Sequence, residues 1–406
     1  MVEPCLRHLY LVPLLALFLG FPTVTCDADR VRVLYIGEPL GSPLPYFVAL
    51  INDPFFDVTP VQAFTYNLPD DIAWRSVRRY MPRNYELLSA YDAITLVYAD
   101  AKLFKPEWRS WLSWAVPDGV GFTFTGQDVE KHQFLWEWLE STVGEVIPLV
   151  RPGVTHYGMG EDPGVIRVTR PEHPLMAYLP WSEIGRHGSF YDTTQISAKQ
   201  GSETIAELRT TFGKSYPFLV WWEVNEGRSL SIMTRFAEDH RNPADPFFDW
   251  PYLGDFSADF HLYVAGRQIP EDVEVLHLIR TTTVEAWRVK NTLVSSIDFI
   301  AKLGGNTGRL EDMLREADEK LLESRRMYLD YEFQESLALL EDMTDDMDEI
   351  VIATIEVKDQ TFMTIYLVEW FVMLSTGMVT GVVVWTLMVR RRLYREAGST
   401  RAITGY

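Results

Sequence analysis

The stretch Gly121-Phe122-Thr123-Phe124-Thr125-Gly126-Gln127-Asp128 decides how the first part of this chain is read. Aromatic and β-branched residues alternate without a charge, and such residues suit a pleated, buried surface. Gly126 and the polar pair behind it end the run in a tight turn. A strand uncharged on both faces belongs in a parallel sheet covered on both sides. Working outward, Ala93–Tyr98 has the same character, Val31–Gly37 is a β-rich run closing on glycine, and Phe56–Val61 is a further strand. Pro45–Ile51 and Pro106–Trp114 carry helical spacing between them. Strand and helix in alternation predict an α/β domain. The following region predicts antiparallel strands at Gly164–Val168, Ile196–Lys199, Phe218–Trp222 and Ser229–Met233, with a hairpin turn in Asn225-Glu226-Gly227-Arg228.

The two ends carry apolar segments of different kinds. Arg7 and His8 precede the apolar run Leu9–Phe21, and small or polar residues follow to Cys26, the order of an export signal over 1–26. Lipid attachment at Cys26 and an uncleaved anchor are the alternatives. Trp370–Val389 is twenty residues without a charge, enough to cross a hydrocarbon core of about 30 Å. Arg390, Arg391, Arg392 and Arg395 follow at once, which predicts a cytoplasmic C-terminus. The expected organisation is a signal at 1–26, an α/β domain at 27–265 and an acidic helical stalk at 266–362. A transmembrane helix at 363–389 and a basic tail at 390–406 complete it. The expected location is the cell membrane, single-pass, with the N-terminal domain outside.

Formal net charge is −20 although the tail is basic. An acidic surface of this kind repels nucleic acid, so no nucleic-acid partner is expected. Cys5 and Cys26 are the two cysteines of the chain, both within the signal region, so no internal disulfide is expected in the processed protein. From about Val284 the texture becomes charged with apolar residues at helical spacing, and helix breaks are predicted near Gly304-Gly305 and Tyr328–Tyr331. The acidic run Glu341–Glu349 lacks the glycine and alternating oxygens of a calcium loop and reads as a solvated helix face.

The order of these pieces resembles the class I glutamine amidotransferase-like fold, and within it a largely uncharacterised, often membrane-associated branch. The matching residues are Tyr91–Leu96 preceded by Glu86-Leu87-Leu88, Trp114–Gly126, and His173–Met176 with Leu179-Pro180-Trp181. Gly227–Leu230 and Phe248–Tyr252 complete the set. The likeness covers roughly residues 30–265. It implies a flavodoxin-like, mostly parallel sheet with helices on both faces, here followed by the stalk and one transmembrane helix. In that family a Cys occupies the strand-to-helix turn, where backbone N–H groups stabilise a tetrahedral intermediate. Aligned on that pattern, Phe124 stands at the nucleophile's position, give or take one residue. Phenylalanine cannot attack a carbonyl, and no Cys follows residue 26, so glutaminase chemistry is not expected.

Residues at the carboxyl ends of parallel strands line the crevice where such sheets bind ligands. Glu38, Asp100, Thr125, Gln127 and Asp128 would share that rim, with Asp239, His240 and Trp250 following the last strand. The competing reading is ordinary capping by Asp100 and Asp128. No histidine falls in an H-x-H or H-E-x-x-H pattern, and neither a metal nor a cofactor is expected. The leading functional expectation is a non-enzymatic, membrane-anchored extracytoplasmic domain. It would bind a ligand at the rim, or an envelope protein through the stalk. The alternative is a carboxylate- and histidine-dependent hydrolase using Glu38, Asp100 and His240, metal-assisted or not.

Overall fold

A computed structural model describes residues 30–39, 45–64, 69–125, 134–150, 164–184, 196–210, 213, 215–233 and 250–403. The chain divides into two compact units: residues 1–280 with Tyr328–Phe333, and residues 281–327 with 334–406.

The first unit is an α/β sandwich. Its strands are β1 (Val31–Gly37), β2 (Phe56–Gln62), β3 (Ala93–Val97), β4 (Gly121–Thr125), β5 (Leu149–Val150), β6 (Gly164–Val168), β7 (Ser197–Ala198), β8 (Glu203–Thr210), β9 (Ser215–Val224) and β10 (Gly227–Ile232). An eight-stranded sheet runs β2-β1-β3-β4-β10-β9-β8-β6, and β5 pairs with β7 apart from it. The five strands from β2 to β10 are parallel, and β9, β8 and β6 extend the sheet antiparallel. The sheet is therefore mixed, its antiparallel part beginning at the anticipated hairpin. There β9 returns into β10 through Asn225 and Glu226, with Asn225 at φ +53°.

Helices α1 (Pro45–Asn52), α2 (Asp70–Tyr80), α3 (Tyr85–Leu88), α4 (Pro106–Ala115), α5 (Phe134–Leu139), α6 (Pro174–Ala177) and α7 (Leu253–Val264) belong to this unit. The period-2 alternation of the strands sorts them onto two faces. Leu34, Ile36, Ile94, Leu96, Phe122 and Phe124 share one apolar cluster with Ala73 and Val77 of α2 and Leu112 and Ala115 of α4. The intervening residues meet the other layer: Tyr35 lies against Phe47 of α1, and Thr95 against His261 of α7. Strands apolar on both faces are what this double cover requires.

The second unit is helical. It comprises most of α8 (Val273–Lys302), α9 (Gly308–Leu329) and α10 (Phe333–Ile403). Both expected breaks are present. Gly304 turns at φ +84° between α8 and α9, and Tyr331 at φ +65° between α9 and α10. Leu340, Met343, Met347 and Ile350 form the buried stripe of α10, at the spacing of one helix face. Ser324 and Ser336 exchange hydroxyl-to-carbonyl hydrogen bonds at 3.0 and 2.9 Å, which holds α9 close to α10. Within the acidic run, Asp342 and Asp346 both reach Lys320 at 2.6 Å while Met343 and Met347 face inward. The run is thus an amphipathic helix. From Tyr366 to Arg395 every residue of α10 is exposed, and this helix is long and apolar enough to cross a membrane.

Candidate functional site

Strand order in the parallel region reverses between β1 and β3, and open α/β sheets bind ligands just beyond the strand ends at such a point. Glu38 directly follows β1, Tyr98 to Asp100 follow β3, and Thr125 ends β4. Adjacent strands lie about 4.8 Å apart, so the topology brings Glu38, Asp100 and Thr125 to one edge. This edge is tightly built. A Cβ on Gly37 would stand 2.6 Å from the Val97 carbonyl oxygen, so only glycine lets β1 and β3 end side by side. Tyr98 adopts φ +49°, a left-handed conformation unfavourable for an aromatic residue. Its N–H donates to the Thr125 carbonyl at 3.0 Å. The Trp138 indole N–H donates to the Ala99 carbonyl at 2.6 Å.

Asp100 is a cap. Its Oδ1 accepts the Lys102 N–H at 3.0 Å and opens the 3-10 turn Ala101–Leu103, while its own N–H donates to the Ala63 carbonyl. Glu38, Asp100 and Thr125 are all buried. Phe124 is a strand residue, paired with Leu96 and Ser231. Its ring is 1% exposed within the apolar cluster. Trp250 stands just before α7, with its ring 5.1 Å from Trp181 and 6.5 Å from Phe256. Gln127, Asp128, Asp239 and His240 lie outside the described residues.

A second polar constellation was not anticipated from the sequence. Helix α7 is buried along nearly its whole length, yet it carries Asp255, Asp259 and His261. Burial of an ionised carboxylate is costly without a partner, and Arg280 of α8 supplies it. Arg280 Nε donates to Asp53 Oδ2 at 2.8 Å and to the Tyr328 hydroxyl at 3.1 Å, and Nη1 donates to Asp255 Oδ1 at 2.8 Å. Tyr328 in turn donates to Asp53 Oδ2 at 3.0 Å. Asp53 Oδ1 accepts the Phe55 N–H, and Asp255 Oδ2 lies 2.7 Å from His277 Nδ1. The planar fork of a guanidinium suits this set of acceptors as an ammonium would not. Burial, with the Asp53 charge beside it, pushes the Tyr328 hydroxyl well above the usual phenol range, so it remains a donor.

Asp259 is the odd member. Its Oδ1 has no hydrogen-bond partner and lies 3.9 Å from Arg280 Nη1. Burial pushes its carboxyl up to about 7; Arg280 pulls against this, and the charges of Asp255 and Asp53 add to it. Two residues on, about 200° round the helix, His261 faces the sheet. The Ser257 carbonyl can only accept, so Nδ1 carries the proton toward it at 2.7 Å and Nε2 accepts from Thr95 Oγ1 at 2.8 Å. Burial pushes this imidazole down to about 4, against the Ser257 hydrogen bond, which keeps it neutral. The sequence signal for this constellation was the pair of carboxylates four residues apart in the mostly apolar and aromatic segment Leu253–Val264.

Among the described residues, no three His, Cys, Asp or Glu side chains are grouped as a metal site. No protein-family profile and no curated protein sequence matches the chain. Solved structures are similar to part of the chain. Cytoplasmic protein STM1381 from Salmonella typhimurium LT2 is similar at 17% identity and a TM-score of 0.45, over 57% of this chain and 99% of that one. A ThuA-like protein from Parabacteroides merdae is similar at 13% identity and a TM-score of 0.40, over 59% and 92%. The glutaminase domain of Trypanosoma brucei CTPS is similar at 12% identity and a TM-score of 0.30, over 60% and 97%. The likeness is one of fold, and the functional reading rests on the chain's own residues.

Proposed function

We propose that the chain is a single-pass membrane protein whose α/β unit is a non-enzymatic binding module displayed outside the cytoplasm. The observation that carries this reading is α10, which continues without a break from the packed stripe Leu340–Ile350 into the exposed apolar segment before Arg390. The arginines behind that segment favour a cytoplasmic tail, and the apolar run Leu9–Phe21 suits an export signal.

The binding role follows from what the strand-end rim offers. A glutaminase needs a thiolate at the turn after β4, and no cysteine follows residue 26. Phe124 fills the core, and Asp100 spends its carboxylate on a cap. What remains at the switch point is a tightly held edge with Glu38 and Thr125. Such groups can orient a polar ligand but bring no activated nucleophile. The helical unit would offer its outer face to an envelope protein.

Orientation is tested with single cysteines in a chain whose two natural cysteines are replaced. With Ser202→Cys in the α/β unit and Ser399→Cys in the tail, a membrane-impermeant maleimide should label only the first in intact cells. Labelling of the second alone would overturn the proposed topology. Binding without catalysis is tested on the purified full chain. It should release no ammonia from glutamine, and Glu38→Gln should weaken retention of whatever small molecule co-purifies with it. Glutamine turnover would overturn the non-enzymatic reading.

A further inference from the structure

The Arg280 constellation joins four separate pieces of chain: the end of α1 through Asp53, α7 through Asp255 and Asp259, the start of α8 through His277 and Arg280, and the Tyr328–Phe333 turn through Tyr328. The turn is held further by rings, with Phe55 4.6 Å from Tyr328 and 5.4 Å from Tyr331. Three carboxylates surround one guanidinium. Asp53 and Asp255 engage it directly, whereas Asp259 stands back at 3.9 Å with an unpartnered oxygen. Arg280 Nη2 also has no acceptor. The arrangement is therefore satisfied with two negative charges and has no satisfied place for a third.

We propose that Asp259 is the proton-operated element of a latch. Protonated, it leaves Arg280 to Asp53, Asp255 and Tyr328 and the turn stays fastened; ionised, it competes for the guanidinium and loosens the turn. The competition is local, because Arg280 Nη2 is the free donor and turning it toward Asp259 strains the Nε bonds to Asp53 and Tyr328. The other titratable groups facing the latch are Tyr328, which stays protonated, and His277, whose ring also stacks 4.5 Å from Tyr252. His277 is the rival switch, since protonation there would add a cation beside Asp255.

The sign follows from linkage. Asp259 binds its proton more tightly in the fastened state than as an ordinary carboxylate. Opening therefore releases a proton and becomes easier as pH rises from the ordinary carboxylate range, levelling off near 7. The test is hydrogen exchange of the Tyr328–Phe333 segment in the full chain in detergent. Its rate is divided by that of Asp259→Asn at the same pH, which cancels the intrinsic pH dependence of amide exchange. The ratio should rise by up to about tenfold per pH unit and then flatten near neutrality. A ratio that stays constant with pH overturns the latch. Should the amide variant not fold, His277→Gln gives the second arm. Protection of the turn, corrected for intrinsic rates, should still fall with pH as in the unaltered chain, and loss of that dependence overturns the assignment to Asp259.

Discussion

Tyr328 donates its hydroxyl to Asp53 Oδ2 at 3.0 Å across 275 positions of sequence. A contact this remote costs considerable chain entropy, and it persists because both partners are buried and jointly satisfied by Arg280. Removing the hydroxyl leaves Asp53 Oδ2 one donor short. Tyr328→Phe should lower the unfolding free energy by about 1–2 kcal/mol, read as an earlier denaturant midpoint of the α/β unit at unchanged slope.

Arg280 should be far less replaceable. Arg280→Met keeps much of the volume but leaves Asp53 and Asp255 buried without their cation. Loss of one partner of a buried pair costs about 3–5 kcal/mol. The variant should unfold well before Tyr328→Phe in the same denaturant series; equal midpoints would contradict a hub at Arg280.

Two buried groups on one helix give the stability opposite pH dependences. Asp259 has a raised folded value of about 7, so its contribution is complete below the ordinary carboxylate range and lost as pH rises through 7. The whole effect is on the order of 4 kcal/mol. His261 has a folded value lowered to about 4, so its contribution is present above the ordinary histidine range and lost as pH falls through 4. Asp259→Asn should raise the denaturant midpoint at about pH 8, and His261→Gln should reduce acid sensitivity between about pH 6 and pH 4.

Phe124→Cys separates a core position from a catalytic one. It places a thiol where the family resemblance puts the nucleophile, but β4 buries that side chain in the apolar cluster. The variant should show no glutamine hydrolysis and lose about 3 kcal/mol of stability, as for other large-to-small core changes. Ammonia release by the variant would show that the position is accessible to substrate.

Much of the architecture is legible in the sequence. Val31–Gly37 and Gly164–Val168 are strands at the residues where β-rich runs begin and end, because runs of β-branched and apolar residues bounded by glycine suit a pleated, half-buried surface. Breaks at Gly304 and Tyr331 were legible for the same kind of reason, since periodicity stops there. Other elements were hidden. Glu203–Thr210 carries charges at alternate positions and reads as surface, although β6 and β9 enclose it as a central strand. Helix α7 follows a segment rich in proline and aspartate that masks its start. The Arg280 constellation could not be read at all as a group, because residues 53, 255, 280 and 328 meet only through tertiary packing. On the rim, strand order puts Glu38, Asp100 and Thr125 at the ends of β1, β3 and β4, whereas the capping role of Asp100 required the geometry of the turn behind it.

Ile350 faces the interior of the helical unit, and Gly377 lies on the same uninterrupted helix. The interval is about seven and a half turns at roughly 3.6 residues per turn, so the two residues project to opposite sides. Gly381, one turn further, stays with Gly377. No proline interrupts residues 333–403, and so the azimuth of the apolar segment is inherited from the bundle. Which flank of that segment would meet lipid or a neighbour is set by the methionines packed in the helical unit. One inserted residue between Ile350 and Gly377 would swing the glycine-notched flank by about 100° without altering a single apolar side chain.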